Sequence, residues 1–127
     1  MRAGDRPWFG WGLGTAGRTP GSKVIIPQFN QEYIPSHTHN WALQVLLETG
    51  RLGLAAALVA LLTLLWTAFR AARAGWRGGW AAIGLIGAYA ISGLANFSVW
   101  SAWWQASFVA LLVLALARAK PDEALDA

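Results

Sequence analysis

Residues 36–54 read SHTHNWALQVLLETGRLGL and open the longest apolar run in the chain. On a helix, residues three or four apart lie on the same side. Four polar side chains are therefore expected to form a stripe, here called the polar stripe, along an otherwise apolar helix: Asn40, Gln44, Glu48 and Arg51. A carboxylate near hydrocarbon is costly without a partner. We therefore expect Arg51 to pair with Glu48, and Glu48→Gln to be tolerated better than Arg51→Leu.

The composition is typical of a membrane protein. Of the 127 residues, 56% are hydrophobic and only 13% are charged, whereas soluble domains carry roughly a quarter charged residues. The net charge of +4 could suggest nucleic-acid binding, but many cations lie at the edges of apolar runs, where membrane topology accounts for them. These cations are Arg70, Arg73, Arg77, Arg118 and Lys120. The chain has no cysteine, which excludes disulfide and thiol chemistry.

We predict an all-α fold, a polytopic membrane protein fragment with three transmembrane helices after an extracytoplasmic loop rich in glycine and proline. The predicted parts are a loop at 1–35, spans at about 41–70, 80–99 and 103–118, and a tail at 119–127. The first apolar run is close to the roughly 20 residues that cross a bilayer core. The long uncharged stretch that follows it suits two further crossings.

The sequence also predicts a helix cap, a short strand and a contact between helices. Ser36, Thr38 and Asn40 are all competent N-caps for the first helix, and the sequence does not choose among them. Residues 24–26 favour a short strand in the loop. In the second span, small side chains recur at four-residue steps, which lets another helix approach closely. They are Gly84, Ala88, Ser92 and Asn96.

The distribution of positive charge predicts the orientation. Three arginines lie between the first two spans, and Arg118 and Lys120 follow the third, which favours a cytoplasmic location for both segments. The loop 1–35 then lies on the outer side. This loop is itself basic, and nothing in the chain has the form of a signal peptide that would carry it across. We infer that the chain is the C-terminal piece of a longer polytopic protein.

The two histidines, His37 and His39, are the candidate catalytic groups. If they lie in the first helical turn they point about 200° apart, so a shared ligand is not expected, and a metal site would lack nearby carboxylates. An imidazole titrates near pH ~6.5, and a helix N-terminus disfavours its charged form. That leaves a neutral base beside N–H groups that bind anions. The alternative is a pair of polar residues that caps the helix.

The loop supplies candidate anion-binding residues. Arg18 and Lys23, with Arg2 and Arg6 further away, could hold a diphosphate through guanidinium and ammonium groups. Taken singly, each of them is better explained as a solvated surface charge. The glycine-rich run GWGLGTAG at 10–17 is not preceded by a strand or followed by GK[ST], so its glycines favour tight turns over nucleotide binding.

These motifs together resemble the O-antigen ligase and polymerase family. Its members show a G-x-G run, an H-N or H-x-H-N pair, and a leucine-rich helix with E-x-G-x-x-G. The matching residues here are Gly10, Gly12 and Gly14, then His37, His39 and Asn40, then Glu48, Gly50 and Gly53. The resemblance covers roughly residues 7–54. The family also has an arginine motif upstream of the G-x-G run, which this chain does not contain.

The resemblance implies a multi-pass enzyme of the bacterial inner membrane. Such an enzyme moves a glycan from undecaprenyl diphosphate to an acceptor sugar, such as a lipid A core, on the periplasmic side, without a metal or cofactor. It implies a histidine base, and His39, next to Asn40, matches that position best, with His37 as the alternate. The candidate substrate-binding residues are Arg18, Arg6, Asn40, Gln44 and Glu48.

The expected partners are the donor, the acceptor and the upstream helices of the parent protein, without which the piece should be inactive. Two other interpretations are a solute transporter, whose permeation path the polar stripe would line, and a small non-catalytic membrane protein.

Overall fold

The computed structural model describes residues 5–34, 36–95 and 98–117, and within them the chain is mostly helical. The helices are α1 (Trp41–Arg73), α2 (Arg77–Ser92) and α3 (Ala102–Leu116). They follow a single turn of 3₁₀ helix at Ala16–Arg18 and a small antiparallel hairpin of β1 (Ile25–Ile26) and β2 (Gln31–Glu32). The all-α prediction is confirmed, and the strand expected at 24–26 occupies two of its three residues. The predictions for Arg2, Asn96, Arg118, Lys120 and the tail lie outside the described residues.

The chain divides into two compact units, each described here by itself. The first unit contains the loop, the start of α1 up to Ala57, and residues 93–101. The second contains α1 from Leu58, α2 up to Ser92, and α3. All the candidate site residues belong to the first unit.

α1 begins at Trp41 because two groups satisfy its first backbone donors. The Asn40 side-chain oxygen accepts a hydrogen bond from the Leu43 N–H at 3.0 Å, and the Gly93 carbonyl accepts one from the Trp41 N–H at 2.9 Å. Asn40 is therefore the N-cap among the three candidates. Both histidines precede the helix, so their expected position in its first turn was wrong. The reason is local, since His39 has a φ of 52°, which no right-handed helix contains.

The helical hydrogen-bonding pattern of α1 breaks at Gly50, whose φ of 70° and ψ of −166° lie in a region that essentially only glycine occupies. The loop segment 7–12 supplies bonds that replace the helical ones on both sides of the break. The Arg51 and Leu52 N–H groups donate to the carbonyls of Pro7 (2.8 Å) and Trp8 (3.3 Å), and the Trp11 and Gly12 N–H groups donate to those of Leu47 (3.0 Å) and Glu48 (2.8 Å). The loop main chain is thus inserted into the helix.

Two glycines, Gly10 and Gly50, make this insertion possible, and a third, Gly53, is packed within the helix. A Cβ on Gly50 would lie 2.3 Å from the Trp8 carbonyl carbon, and one on Gly10 would lie 2.4 Å from that of Glu48. A Cβ on Gly53 would lie 1.8 Å from the Thr49 hydroxyl oxygen. Because no side chain fits at these distances, Gly10 of the G-x-G run and Gly50 of the E-x-G-x-x-G motif mark the contact between loop and helix, whereas Gly53 lies against Thr49 of its own helix.

The second unit is held by close contacts between helices. Gly78 and Gly79 of α2 lie where a Cβ would be 2.1 Å from the Ala115 carbonyl oxygen and 2.3 Å from the Ala72 nitrogen. The small core consists of Ala68, Ala82 and Ile86. Close approach therefore occurs at the start of α2, whereas a Cβ on Gly84, within the predicted small-residue stripe, would meet no atom of another segment within 4 Å.

α1 is long and apolar enough to cross a membrane. Only 6% of its most apolar window is buried inside the structure, which distinguishes it from the core helix of a soluble protein. α2 and α3, with 16 and 15 residues, are shorter than the roughly 20 that a crossing needs. The second helix ends at Ser92, and the three predicted spans stay a prediction.

Candidate functional site

The first unit is built around two buried polar side chains of the polar stripe. Glu48 and Gln44 are 1% and 2% exposed. Glu48 Oε2 accepts hydrogen bonds from the Gly14 N–H (2.8 Å) and the Trp100 indole N–H (2.5 Å). Its Oε1 accepts from the Ala16 N–H (3.1 Å) and the Gln44 amide (3.4 Å). A single carboxylate thus holds the glycine-rich loop against α1.

Gln44 fixes a second segment to the same helix. Its amide N–H donates to the Ser98 hydroxyl at 2.8 Å, and its amide oxygen accepts from the Val99 N–H at 3.2 Å. Together with Asn40, which caps the helix, three residues of the polar stripe bind groups of the protein itself. Sequence reasoning predicted the stripe and Asn40 as a possible cap, but it had no signal for the distant partners of Glu48 and Gln44, which lie more than 30 residues away in the chain.

Arg51 does not join the stripe, and the predicted Glu48–Arg51 pair was wrong. Its side chain is exposed, and its guanidinium carbon lies 5.6 Å from the centroid of the Trp8 ring. The reason is the break at Gly50 between the two residues, which removes the helical geometry that would bring them together.

The loop forms a pocket of about 320 Å³, here called the basic pocket, lined by Gly14, Gly17, Arg18, Lys23 and Ser36. Arg18 and Lys23 bring two cations to this pocket, as the sequence suggested. The Lys23 ammonium also pairs with the Glu32 carboxylate at 2.5 Å. Such a pocket, with two donors of positive charge, suits an anion.

Arg6, the other candidate described in this loop, lies elsewhere. Its guanidinium carbon is 4.8 Å from the centroid of the Trp11 ring, and it lines a different depression with Pro7 and Trp8. The structure therefore brings together Arg18 and Lys23 but not Arg6.

Two hydroxyl groups fix the backbone that carries Arg18. The Ser22 hydroxyl donates to the Gly17 carbonyl at 2.9 Å, and the Thr19 hydroxyl donates to the Ala16 carbonyl at 3.0 Å. Both residues are buried, Ser22 completely. Sequence reasoning missed them, although Ser and Thr are typical of turns held by side-chain hydrogen bonds.

The hairpin forms one wall of a second cavity of about 410 Å³, here called the groove. Its turn is well specified, since the Phe29 N–H donates to the Ile26 carbonyl at 3.1 Å and Pro27 occupies the position that favours proline. Asn30 follows with a φ of 49°, which asparagine tolerates. The groove is lined by Phe29, Gln31, Glu32, Tyr33, His37 and His39, among others.

His37 and His39 lie against each other at the edge of the groove, with ring centroids 4.1 Å apart and planes inclined by 45°. The expectation that they point apart was wrong, because neither lies in a helix. His37 Nδ1 is 2.8 Å from the Ser36 hydroxyl oxygen, while its Nε2 is buried and has no hydrogen-bond partner among the described residues. Burial lowers the pKa of the His37 imidazole, and the neighbouring His39 lowers it further.

The basic pocket and the groove adjoin at Ser36 and His37. Ser36 lines the pocket, and its hydroxyl contacts His37, which lines the groove. The arrangement can therefore hold an anion beside a neutral imidazole base. Among residues 5–34, 36–95 and 98–117, no three His, Asp or Glu side chains come together to hold a metal ion.

Over most of its length the chain is similar to Rickettsia proteins named "Putative polysaccharide ligase". It is 30% identical to the Rickettsia prowazekii (strain Madrid E) protein over 124 residues, 95% of this chain and 30% of that protein. It is 33% identical to the Rickettsia bellii (strain RML369-C) protein over 93 residues, 73% of this chain and 22% of that protein. The chain thus spans less than a third of the length of these relatives. No protein-family model and no solved structure matches it. By sequence, the chain is similar to proteins named for polysaccharide ligation.

Proposed function

We propose that the chain is part of a membrane glycosyltransferase of the O-antigen ligase kind, which moves a glycan from undecaprenyl diphosphate to an acceptor sugar. The observation that carries the proposal is the contact between Ser36 and His37, which joins an anion pocket to a groove lined by two imidazoles. The similarity to proteins named for polysaccharide ligation supports the same reaction class.

In this proposal the basic pocket holds the diphosphate of the donor. The Arg18 guanidinium can bind phosphate oxygens in a fork, and the Lys23 ammonium acts as a point charge. Negative charge develops on the diphosphate as it leaves. Two cations in one pocket would stabilise that charge and so lower the activation barrier.

His39 is proposed as the general base. It is exposed where it lines the groove, whereas His37 Nε2 is buried, so an acceptor hydroxyl has access to His39. The His39 nitrogen takes the hydroxyl proton while the hydroxyl oxygen bonds to the anomeric carbon. The bond between that carbon and the diphosphate oxygen breaks, and its electron pair leaves with the diphosphate. A neutral His37 lets its neighbour become charged without repulsion.

Two residues of the polar stripe, Glu48 and Asn40, are proposed as positioning residues. Glu48 binds the backbone of the segment that carries Arg18, and Asn40 fixes the start of the helix directly after His39. We assign Arg6 no contact with the diphosphate, since it lies against Trp11.

The proposed location is the bacterial inner membrane, with the site on the periplasmic side and the end of the chain in the cytoplasm. α1 supports a membrane location. The arginines Arg70 and Arg73 in its last turn support the orientation, because positive charges accumulate on the cytoplasmic side.

The proposal is tested by comparing His39→Gln with His37→Gln in the protein expressed from its natural gene. Glutamine keeps hydrogen-bonding capacity but cannot take up a proton. We expect His39→Gln to lower transfer by about 10² to 10⁴-fold, the usual contribution of a general base. We expect His37→Gln to cost about tenfold, through the loss of its contact with Ser36, a change of about 1.4 kcal/mol. The measurement is transfer of a labelled glycan from undecaprenyl diphosphate, in membranes that contain equal amounts of each variant.

Two results would contradict this assignment. If His37→Gln abolished transfer and His39→Gln were mild, the base would be the other histidine. If neither change mattered, the acid–base proposal would fail and a transport function would become the better interpretation.

A further inference from the structure

We propose that the groove is the acceptor subsite and that it takes a sugar ring, with the apolar face of the ring against Phe29 and Tyr33 of the hairpin. The proposal rests on the function proposed above. It assigns the hairpin, which no motif marks, a role in choosing the acceptor.

Two large aromatic side chains are exposed at the groove. Phe29 is 71% exposed and Tyr33 is 60% exposed, and both line the same cavity of about 410 Å³. This volume lies within the roughly 300–1,000 Å³ of small-molecule sites. Two large exposed rings at a concave site indicate a ligand with an apolar face.

The same wall of the groove also carries polar side chains. Gln31 and Glu32 of β2 line the groove beside the aromatic rings. A planar amide offers donors and an acceptor, and a carboxylate offers about four acceptor positions, so Glu32 keeps acceptor capacity while it pairs with Lys23. A hydroxyl-rich ring satisfies such groups at its edge, whereas a lipid chain would leave them desolvated and unpaired.

The groove lies beside both the proposed base and the basic pocket. His39 lines the groove, so a hydroxyl of the bound sugar can reach the base. Lys23 lines the basic pocket while its partner Glu32 lines the groove. The two cavities therefore adjoin at a second point besides Ser36 and His37, which places an acceptor next to a donor diphosphate.

The turn of the hairpin makes the aromatic wall a preorganised one. Pro27 restricts φ, the Phe29 N–H bonds to the Ile26 carbonyl, and the Tyr33 N–H bonds to the Val24 carbonyl at 2.8 Å. These contacts fix the backbone that carries the two rings, and a backbone that is fixed before binding costs less conformational entropy on binding.

The test is photo-crosslinking in living cells, with the photoreactive residue benzoylphenylalanine in place of Tyr33 in the protein expressed from its natural gene. The matched control carries the same residue in place of Ile25, which is 51% exposed on the same hairpin but does not line the groove. We expect a light-dependent adduct at position 33 that stains for carbohydrate and is destroyed by periodate, and a much weaker adduct at position 25. An equal adduct at both positions, no adduct, or an adduct with lipid or protein alone would overturn the proposal.

A kinetic comparison gives a second readout. With oligosaccharide released from the host cell envelope as acceptor, Phe29→Ala should raise the acceptor KM about tenfold, about 1.4 kcal/mol of binding, and leave kcat and the donor KM little changed. Ile25→Ala should leave the acceptor KM, kcat and the donor KM unchanged. A fall in kcat with an unchanged acceptor KM would overturn the proposal.

The two proposals fail separately. Crosslinking needs no chemistry, so the adduct at position 33 should persist when His39→Gln is added. A carbohydrate adduct in a protein that transfers no glycan would support the groove as a glycan-binding site and contradict the proposed transfer reaction. Transfer that depends on His39 without a carbohydrate adduct would keep the reaction and overturn the groove.

Discussion

Glu48 accepts hydrogen bonds from three separate segments of the chain. Its partners are Gly14 and Ala16 in the glycine-rich loop, Gln44 on the same helix, and Trp100 after α2. All four partners donate, which is the pattern that a carboxylate satisfies. A carboxylate in an apolar stretch therefore has a structural reason, because it joins segments that are distant in the chain.

Glu48→Gln is expected to destabilise the first unit much more than Arg51→Leu does. A glutamine has one oxygen, so its amide nitrogen would face donors, and buried donors left without an acceptor cost about 1–3 kcal/mol each. Arg51 is exposed, and its contact with the Trp8 ring is worth about 0.5–1 kcal/mol at such a site. Thermal unfolding in detergent, followed by the fluorescence of the tryptophans, measures both changes. A larger loss in Arg51→Leu would mean that Glu48 and Arg51 are coupled after all.

This order is the reverse of the one that the sequence alone suggested, and the residues explain why. The spacing of Asn40, Gln44 and Glu48 predicted that they share one side of a helix, and the burial of Gln44 and Glu48 and the hydrogen bond between them agree with it. Nothing in the spacing identifies Gly14 or Trp100 as partners, because those contacts depend on how distant loops fold back. Nor does it predict the left-handed backbone of His39, which brings two imidazoles together outside the helix.

The insertion of loop segment 7–12 into α1 explains how a long apolar helix can carry a site at one end. A helix that breaks in its interior leaves backbone donors and acceptors without partners. Here four hydrogen bonds from the loop replace them, and each contributes about 0.5–1.5 kcal/mol. The break and the loop therefore stabilise each other, and the same loop continues directly into the basic pocket at Gly14.

Gly10→Ala and Gly14→Ala form a matched pair that tests this insertion. The two glycines have nearly the same φ, 65° and 68°, so alanine at either one incurs about 1–2 kcal/mol of backbone strain. A Cβ on Gly10 would also lie 2.4 Å from the Glu48 carbonyl carbon, whereas one on Gly14 would have nothing within 4 Å. We expect Gly14→Ala to fold with a reduced Tm.

Gly10→Ala should lose most of the folded protein, because the clash separates the loop from the helix. The yield of monodisperse protein on size-exclusion chromatography in detergent measures the difference. Equal yields of the two variants would show that the close contact between Gly10 and Glu48 is not needed.

The sequence could predict α1 but not its break. A single glycine inside a helical pattern costs about 1 kcal/mol relative to alanine, which is too little to predict an interruption, and Gly50 and Gly53 follow a strongly apolar run. The break becomes favourable only when a second backbone segment approaches, and that segment lies some 40 residues earlier in the chain. The resemblance to a family with G-x-G and E-x-G-x-x-G motifs pointed to the right glycines, and the contact between them supplies the physical reason.

For the molecule as a whole, the composition predicted the class of protein better than it predicted where the helices end. The low charge content and long apolar runs indicated a membrane protein, and α1 has the length and apolarity that this needs. The end of α2 at Ser92 could not be predicted, because the uncharged stretch of sequence continues beyond it. The proposed chemistry also requires an orientation, since donor and site must lie on the same side of the membrane.

The orientation can be measured with single cysteines in the protein expressed from its natural gene, after any cysteines outside this cysteine-free chain have been replaced by serine. Gln28 lies in the exposed turn of the hairpin, close to the proposed site, and Ala74 is exposed between α1 and α2, beside Arg70, Arg73 and Arg77. If positive charge sets the topology, Gln28→Cys should react with a membrane-impermeant maleimide in intact spheroplasts, and Ala74→Cys only after lysis. Reaction of both in intact spheroplasts would show that α1 does not cross the membrane. The opposite pattern would put His39 in the cytoplasm, away from a periplasmic donor, and the proposed glycan transfer would fail with it.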